Sequence, residues 1–154
     1  MAIQVDIPGR APLQLEHLLL DQNGTLTDRG ALIGGVADRL TRVGEHLALH
    51  VLTADTFGTL DALTHELGVE GHRVSTGAEK LTFLNALGSE RCAAIGNGKN
   101  DVLMLTAAAV GIAVIGPEGA SSSAIAGADL VCKSIVDALE LLLDERVLIA
   151  TLRA

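Results

Sequence analysis

Short aliphatic runs alternate along this chain with stretches of helical periodicity, and that alternation predicts an α/β fold: a three-layer, Rossmann-like arrangement with a mainly parallel sheet between helices. Length and composition agree. The chain has 154 residues, the size of one ordinary domain, so we expect residues 1–154 to fold as a single unit. Apolar residues make up 49% of it and are almost all aliphatic, with no Trp or Tyr and only Phe57 and Phe83 as aromatics. Side chains of that kind suit the tight contact of helices on a buried parallel sheet.

The elements follow from the periodicity. Leu15 to Leu20 is an apolar run ending at Asp21 and reads as a buried strand. Val36, Leu40, Val43 and Leu47 recur at helical spacing, and Leu49 to Leu52 forms a second strand ending at Thr53. Phe57, Leu60, Leu63 and Leu67 mark a helix closed by Gly68; a short strand follows at Arg73 to Ser75. A helix from Gly77 to Leu87 stops at Gly88, and Cys92 to Ile95 is a strand ending in Gly96. Next come a helix over Asp101 to Ala108, a strand over Val110 to Ile115 and a helical stretch at 119–126. Leu130 to Cys132 is the last strand, and Ile135, Val136, Leu139, Leu142 and Leu143 form the last amphipathic helix.

Charge and cysteine usage narrow the function classes. The formal net charge is −8, so the chain lacks the basic footprint, and with so few aromatics also the stacking platform, that nucleic acid requires. It suits an anionic membrane no better. Cys92 and Cys132 form no C-x-x-C and lie in apolar runs, as buried thiols of a reducing compartment do. The first residues show no basic segment followed by an apolar one, and no apolar run reaches membrane-spanning length. We expect a cytoplasmic protein. His17, His46, His50, His65 and His72 show no metal-ligand spacing, and surface or packing roles are expected of them.

Ligands of doubly wound sheets bind outside the carboxyl ends of the strands. Asp21, Thr53 and the loop from Gly96 to Asp101 all fall at such ends and should converge on one edge. In the segment Asp21-Gln22-Asn23-Gly24-Thr25-Leu26-Thr27, the carboxylate is held by the strand. Gly24 allows a sharp turn, and Thr25 offers a hydroxyl and an N–H to a phosphate. The segment Gly96-Asn97-Gly98-Lys99-Asn100-Asp101 is a glycine-rich loop entering a helix, a place where backbone N–H groups hold anions. Thr53 could donate to a phosphate oxygen, and Lys80, early in its helix, could neutralise phosphate charge. Taken singly, each has a plainer reading: an Asn-Gly turn, an N-capping aspartate, a strand-end threonine and a solvated lysine.

Taken in order, strand-DQNGTLT, strand-Thr, helical Lys and strand-GNGKND resemble the four-part signature of the haloacid dehalogenase (HAD) superfamily, from about Leu15 to Leu143. DQNGTLT is also similar to the DKTGTLT phosphorylation loop of P-type ATPases. Together with LTADTFGT and GIAVIGPEGA, the motifs resemble the group labelled soluble P-type ATPase-like proteins. The resemblance implies a HAD-like fold and a Mg²⁺-dependent phosphohydrolase or phosphotransferase. Asp21 would be the nucleophile that becomes an aspartyl phosphate. Asp21, Asn23 (through its carbonyl), Asn97 and Asp101 would hold Mg²⁺. Gly24, Thr25, Thr53, Lys80 and Asn100 would hold the phosphoryl oxygens of a small phosphorylated substrate.

Two positions depart from the family pattern. Hydrolases of the superfamily usually carry a second Asp two residues after the nucleophile, as general acid and base; here it is Asn23, which does not titrate. General acid–base help is worth roughly 10²–10⁴-fold, so slow turnover is expected, in the manner of P-type ATPases, which have Thr there. The fourth motif is usually GDGxND, and here its first Asp is Asn97, a weaker ligand for a hard cation. A weakly catalytic or non-catalytic Mg²⁺- and phosphate-binding regulatory or partner protein is therefore the alternative. The gaps between Asp21, Thr53 and Lys80 are too short for a cap domain or an ATP-binding domain. Capless members often complete the site with a neighbouring subunit, and the resemblance thus implies a homo-oligomer.

Overall fold

The computed structural model of the chain describes residues 1–54 and 60–154; Phe57, expected to begin a helix, lies outside them. Two short strands, β1 (Ile3–Val5) and β2 (Leu13–Leu15), pair antiparallel, and β3 (His17–Asp21) follows after one residue. The run expected as one strand from Leu15 is thus divided at Glu16, whose backbone bonds to Arg91 and Ala48 rather than within a strand of its own. β4 (Thr27–Asp28) and β5 (Ala31–Leu32) make a small hairpin. Its turn residues Arg29 and Gly30 have φ of 51° and 85°, the left-handed pair a tight hairpin turn requires.

From there the chain winds helix and strand in alternation: α1 (Val36–Gly44), β6 (Ala48–Thr53), α2 (Leu60–Leu67), β7 (Glu70–Arg73) and α3 (Gly77–Leu87). Next are β8 (Cys92–Gly96), α4 (Val102–Ala107), β9 (Val110–Val114), α5 (Ser122–Gly127), β10 (Leu130–Cys132), α6 (Ile135–Leu142) and α7 (Glu145–Leu152). Several boundaries differ from expectation. The strand expected at Arg73 to Ser75 lies at Glu70–Arg73, a polar edge strand without the apolar signature of a buried one. The helix expected from Asp101 begins instead with a 3₁₀ turn at Lys99–Asp101. The helical stretch at 119–126 starts only at Ser122, where the Ser121 hydroxyl accepts from Ala124 N–H at 3.1 Å. α7 was not expected.

Strands in the order β10-β9-β8-β3-β6-β7 form one six-stranded sheet, parallel throughout. Because side chains alternate along a strand, the sheet sorts its residues between two cores. Leu18, Leu20, Ile95, Ile112 and Val114 face Val36, Leu40 and Val43 of α1, Leu60 of α2 and Leu139 of α6. Leu19, Leu52, Ala94 and Ala113 face Leu84 of α3, Met104 and Leu105 of α4 and Ala124 of α5. The result is the three-layer, mainly parallel α/β architecture expected. Between β3 and β6 lie only the β4–β5 hairpin and α1, so no cap domain stands there. Among the described residues no helix is long and apolar enough to cross a membrane.

Candidate active site

β3 lies at the centre of the sheet, with β6 on one side and β8 on the other. Its last residue, Asp21, is in register with Leu52, one position before Thr53, while Leu20 is in register with Ile95, one before Gly96. The three strand ends therefore present Asp21, Thr53 and the Gly96 loop together. The loop after β3 is wound around one carbonyl: the N–H groups of Thr25, Leu26 and Thr27 all donate to Gln22 O, at 3.2, 2.8 and 3.1 Å. Gly24 has φ of +77°, and a Cβ there would collide with the Glu118 carboxylate and the Asn97 amide.

α3 delivers the lysine. Thr76 caps it, its hydroxyl accepting from Glu79 N–H at 3.1 Å. Gly77, the first helical residue, lets the helix abut the loop after β8, since a Cβ there would sit 2.9 Å from Asn100 O. One turn on, Lys80 is only 1% exposed. It is no solvated helix lysine: Nζ donates to Asp21 Oδ1 at 3.0 Å and to Asp101 Oδ1 at 2.7 Å. Asp101 is fully buried, and its other oxygen accepts from the N–H groups of Asn97 and Gly98 at 3.1 and 3.0 Å. These bonds turn the glycine-rich loop back on itself and form the 3₁₀ turn. Gly96 makes this possible, since a Cβ there would lie 2.5 Å from the Asp101 carboxylate.

Two carboxylates thus share one ammonium in a buried place. Burial, and next the charge of Asp101, raise the Asp21 pKa from its ordinary 3.8 to about 6, against the pull of Lys80 and Thr25. For Lys80, burial disfavours the charge, but Asp21 and Asp101 together outweigh it and raise its pKa. The ammonium therefore stays charged, and Asp21 lies within reach of either protonation state near neutral pH.

The sequence did not signal the link across the two loops. Thr25 Oγ1 lies 3.2 Å from Asp21 Oδ2 and 3.3 Å from Asn97 Oδ1. A hydroxyl has one proton, so it serves only one of these buried oxygens at a time. Thr25, expected to offer its N–H and hydroxyl to a phosphate, directs the N–H to Gln22 O and the hydroxyl to Asp21 and Asn97 in this structure. Asn97 is buried, and its Nδ2 donates to Gly119 O at 3.0 Å. Asn23 is exposed, its Oδ1 loosely paired with Thr27 Oγ1 at 3.5 Å. Thr53 is buried, and its carbonyl accepts from Val74 N–H. Asn100 is exposed on the turn above Asp101. The turn carrying Gly116, Glu118 and Gly119, part of the GIAVIGPEGA segment, packs on Gly24, a contact that nothing in the sequence signalled.

The central strand of a parallel sheet thus ends in an aspartate that shares a buried lysine with a second aspartate. A profile described as haloacid dehalogenase-like hydrolase matches residues 71–138. An uncharacterized protein of Methanocaldococcus jannaschii is 47% identical over 88 residues, covering 53% of this chain and 95% of its own length. Among solved structures, the 3-deoxy-D-manno-octulosonate 8-phosphate phosphatase of Moraxella catarrhalis, in complex with magnesium, phosphate and KDO, superposes with a TM-score of 0.65. It is 20% identical and covers 90% of this chain and 94% of its own. The catalytic domain of the CPx-ATPase CopB-B gives a TM-score of 0.64 at 22% identity, over 74% of this chain and 46% of that one. At these identities the two structures attest the fold. The chain belongs to the haloacid dehalogenase-like family of hydrolases.

Proposed function

We propose that this hydrolase is a Mg²⁺-dependent phosphatase or phosphotransferase that works through an aspartyl phosphate on Asp21. The observation that carries the reading is the Asp21–Lys80–Asp101 arrangement at the carboxyl end of the central strand. A carboxylate oxygen of Asp21 attacks phosphorus, forming an acyl–phosphate O–P bond as the ester O–P bond breaks. Water then cleaves the acyl phosphate, or a second acceptor takes the phosphoryl group. Lys80, Thr53 and the loop residues Gly24, Thr25 and Asn100 hold the phosphoryl oxygens of a small phosphorylated substrate. Positioning and charge are the main protein contributions to such a transfer.

The candidate ligand atoms of Asp21, Asp101, Asn97 and the Asn23 carbonyl fit Mg²⁺, because they are oxygens, the ligands a hard cation selects. The acceptor left without the Thr25 proton is a further sign that positive charge belongs there. Asp21, Asp101, Asn97 and the Asn23 carbonyl would hold the ion. When bound it supplies screening between the nucleophile and the phosphate. Asn23 favours slow turnover: it is exposed, and its amide cannot give a leaving group a proton. The same residue supports the second reading, a protein that holds its phosphate for binding or regulation.

Incubation with acetyl phosphate and Mg²⁺, followed by intact-mass measurement, decides between them. A phosphoryl adduct that Asp21→Asn abolishes is expected. Adduct formation untouched by that substitution would refute the nucleophile, and no adduct together with no turnover would leave the binding reading.

A further inference from the structure

Three of the histidines that show no ligand spacing in the sequence are brought together on the α3 side of the sheet. His50 and Glu70 are register partners on β6 and β7, and His72 follows two residues after Glu70, on the same face. His50 Nδ1, Glu70 Oε2 and His72 Nε2 all lie within 4.8 Å of one another. The two ring nitrogens are shielded from solvent, and neither has a hydrogen-bond partner of good geometry. Each faces the same carboxylate oxygen, at 3.4 Å from His50 and 3.6 Å from His72. Buried imidazole nitrogens left in this condition are uncommon and call for an explanation.

We propose that His50, Glu70 and His72 form a second metal site, for a divalent transition ion of the zinc class, separate from the oxygen-lined pocket at Asp21. Ligand atoms of a tetrahedral zinc ion, with bonds of about 2.0–2.1 Å, lie about 3.4 Å apart. The two contacts to Glu70 already have that spacing, and only the two nitrogens need draw closer. Two imidazoles and a carboxylate leave a fourth position for water. Glu70, whose side chain is 71% exposed, borders solvent and provides the entry path. Nitrogen donors select zinc, cobalt, nickel or copper over magnesium.

The surroundings orient the ligands. His17 Nδ1 lies 3.2 Å from His50 Nε2. With Nε2–H donating to His17, the His50 proton sits on that nitrogen and the Nδ1 lone pair points to the metal, the second partner that metal-binding histidines commonly have. Phe83, one turn after Lys80 on α3, packs on His72 with the rings tilted and their centroids 4.4 Å apart, and meets His50 edge-on at 5.5 Å. His50 is three residues before Thr53, so the site lies about 10 Å along the strand from the Asp21 edge. A bound ion would tie the edge strand β7 to β6.

The test uses the untagged chain, stripped with chelator and held in millimolar Mg²⁺ so that the Asp21 pocket has its own cation. Co²⁺ is titrated in and its visible absorption followed, with Zn²⁺ as competitor. One equivalent should bind, with the bands of a four-coordinate ion displaced by Zn²⁺, and the melting temperature should rise. His72→Ala and Glu70→Ala, both at sites reaching solvent, should each weaken binding about tenfold or more, while Asp21→Asn should not. His17→Ala should weaken it less than either. Absence of binding, binding that survives both ligand substitutions, or binding lost with Asp21→Asn would overturn the proposal. None of these readouts depends on phosphoryl transfer, so the two readings fail separately.

Discussion

Asp21 meets opposing demands. The proposed attack on phosphorus needs the carboxylate, yet burial and the neighbouring Asp101 favour the acid and place its pKa at about 6. The unfolded chain would titrate near 3.8. Between those values the folded chain holds more protons than the unfolded one, so stability falls as pH rises through that window. The ionised Asp21 therefore costs on the order of 2–3 kcal/mol at neutral pH. Asp21→Asn should be the more stable protein by about that amount in urea at pH 7, with the gap closing toward pH 4. Equal stability at both pH values would mean that Lys80 fully offsets the burial. The place of Asp21 at the end of the central strand was legible in the sequence, because an aliphatic run ends there. The burial of Lys80 was not, since a lysine among Glu79, Leu81 and Thr82 looks the same whether it faces water or two carboxylates. Nor was the Thr25 bridge to Asn97, which depends on a contact 72 residues apart in sequence.

Elements with strong punctuation were read correctly from sequence, and those without it were shifted. α3 runs from Gly77 to Leu87 as expected, because Thr76 caps it and Gly88, at φ +99°, ends it. β7 was misplaced because Glu-Gly-His-Arg carries no apolar alternation; its edge position makes none necessary. α7 escaped notice because it continues the apolar pattern of α6, and only Asp144, capping Arg146 and Val147, separates them. The approach of α3 to the loop after β8 gives a test at this scale. Gly77→Ala would gain up to about 1 kcal/mol in helix propensity. Its Cβ, however, would meet the backbone oxygen of Asn100 at 2.9 Å, where neither side yields easily. Overpacking of this kind costs about 1–3 kcal/mol. We expect net destabilisation in urea and a slower phosphorylation of Asp21 as Lys80 is displaced. A Gly77→Ala variant with raised stability would show that the helix end can move freely.

At the scale of the whole molecule, the site has no cap domain inserted between β3 and β6, only the small β4–β5 hairpin and α1. A second copy of the chain would close it and exclude water from the aspartyl phosphate, and we propose a homo-oligomer on that ground. Light scattering should then give a mass that is a multiple of 15.9 kDa at micromolar concentration; a monomer throughout would place closure on the substrate alone. The α/β alternation was legible because, from α1 onward, short strands and helices alternate along the chain. The order of the strands in space was not, since it depends on crossovers that no local pattern records. Lys80 has one more consequence, which reaches beyond the pocket. Of the three lysines in the chain, Lys99 and Lys133 are exposed, while Lys80 is buried between its two carboxylates. An acylating reagent will therefore modify two lysines of the native protein and spare the third. The third becomes reactive only in molecules whose central strand, third helix and glycine-rich loop have parted, making one amine a chemical reporter of how often the folded chain opens.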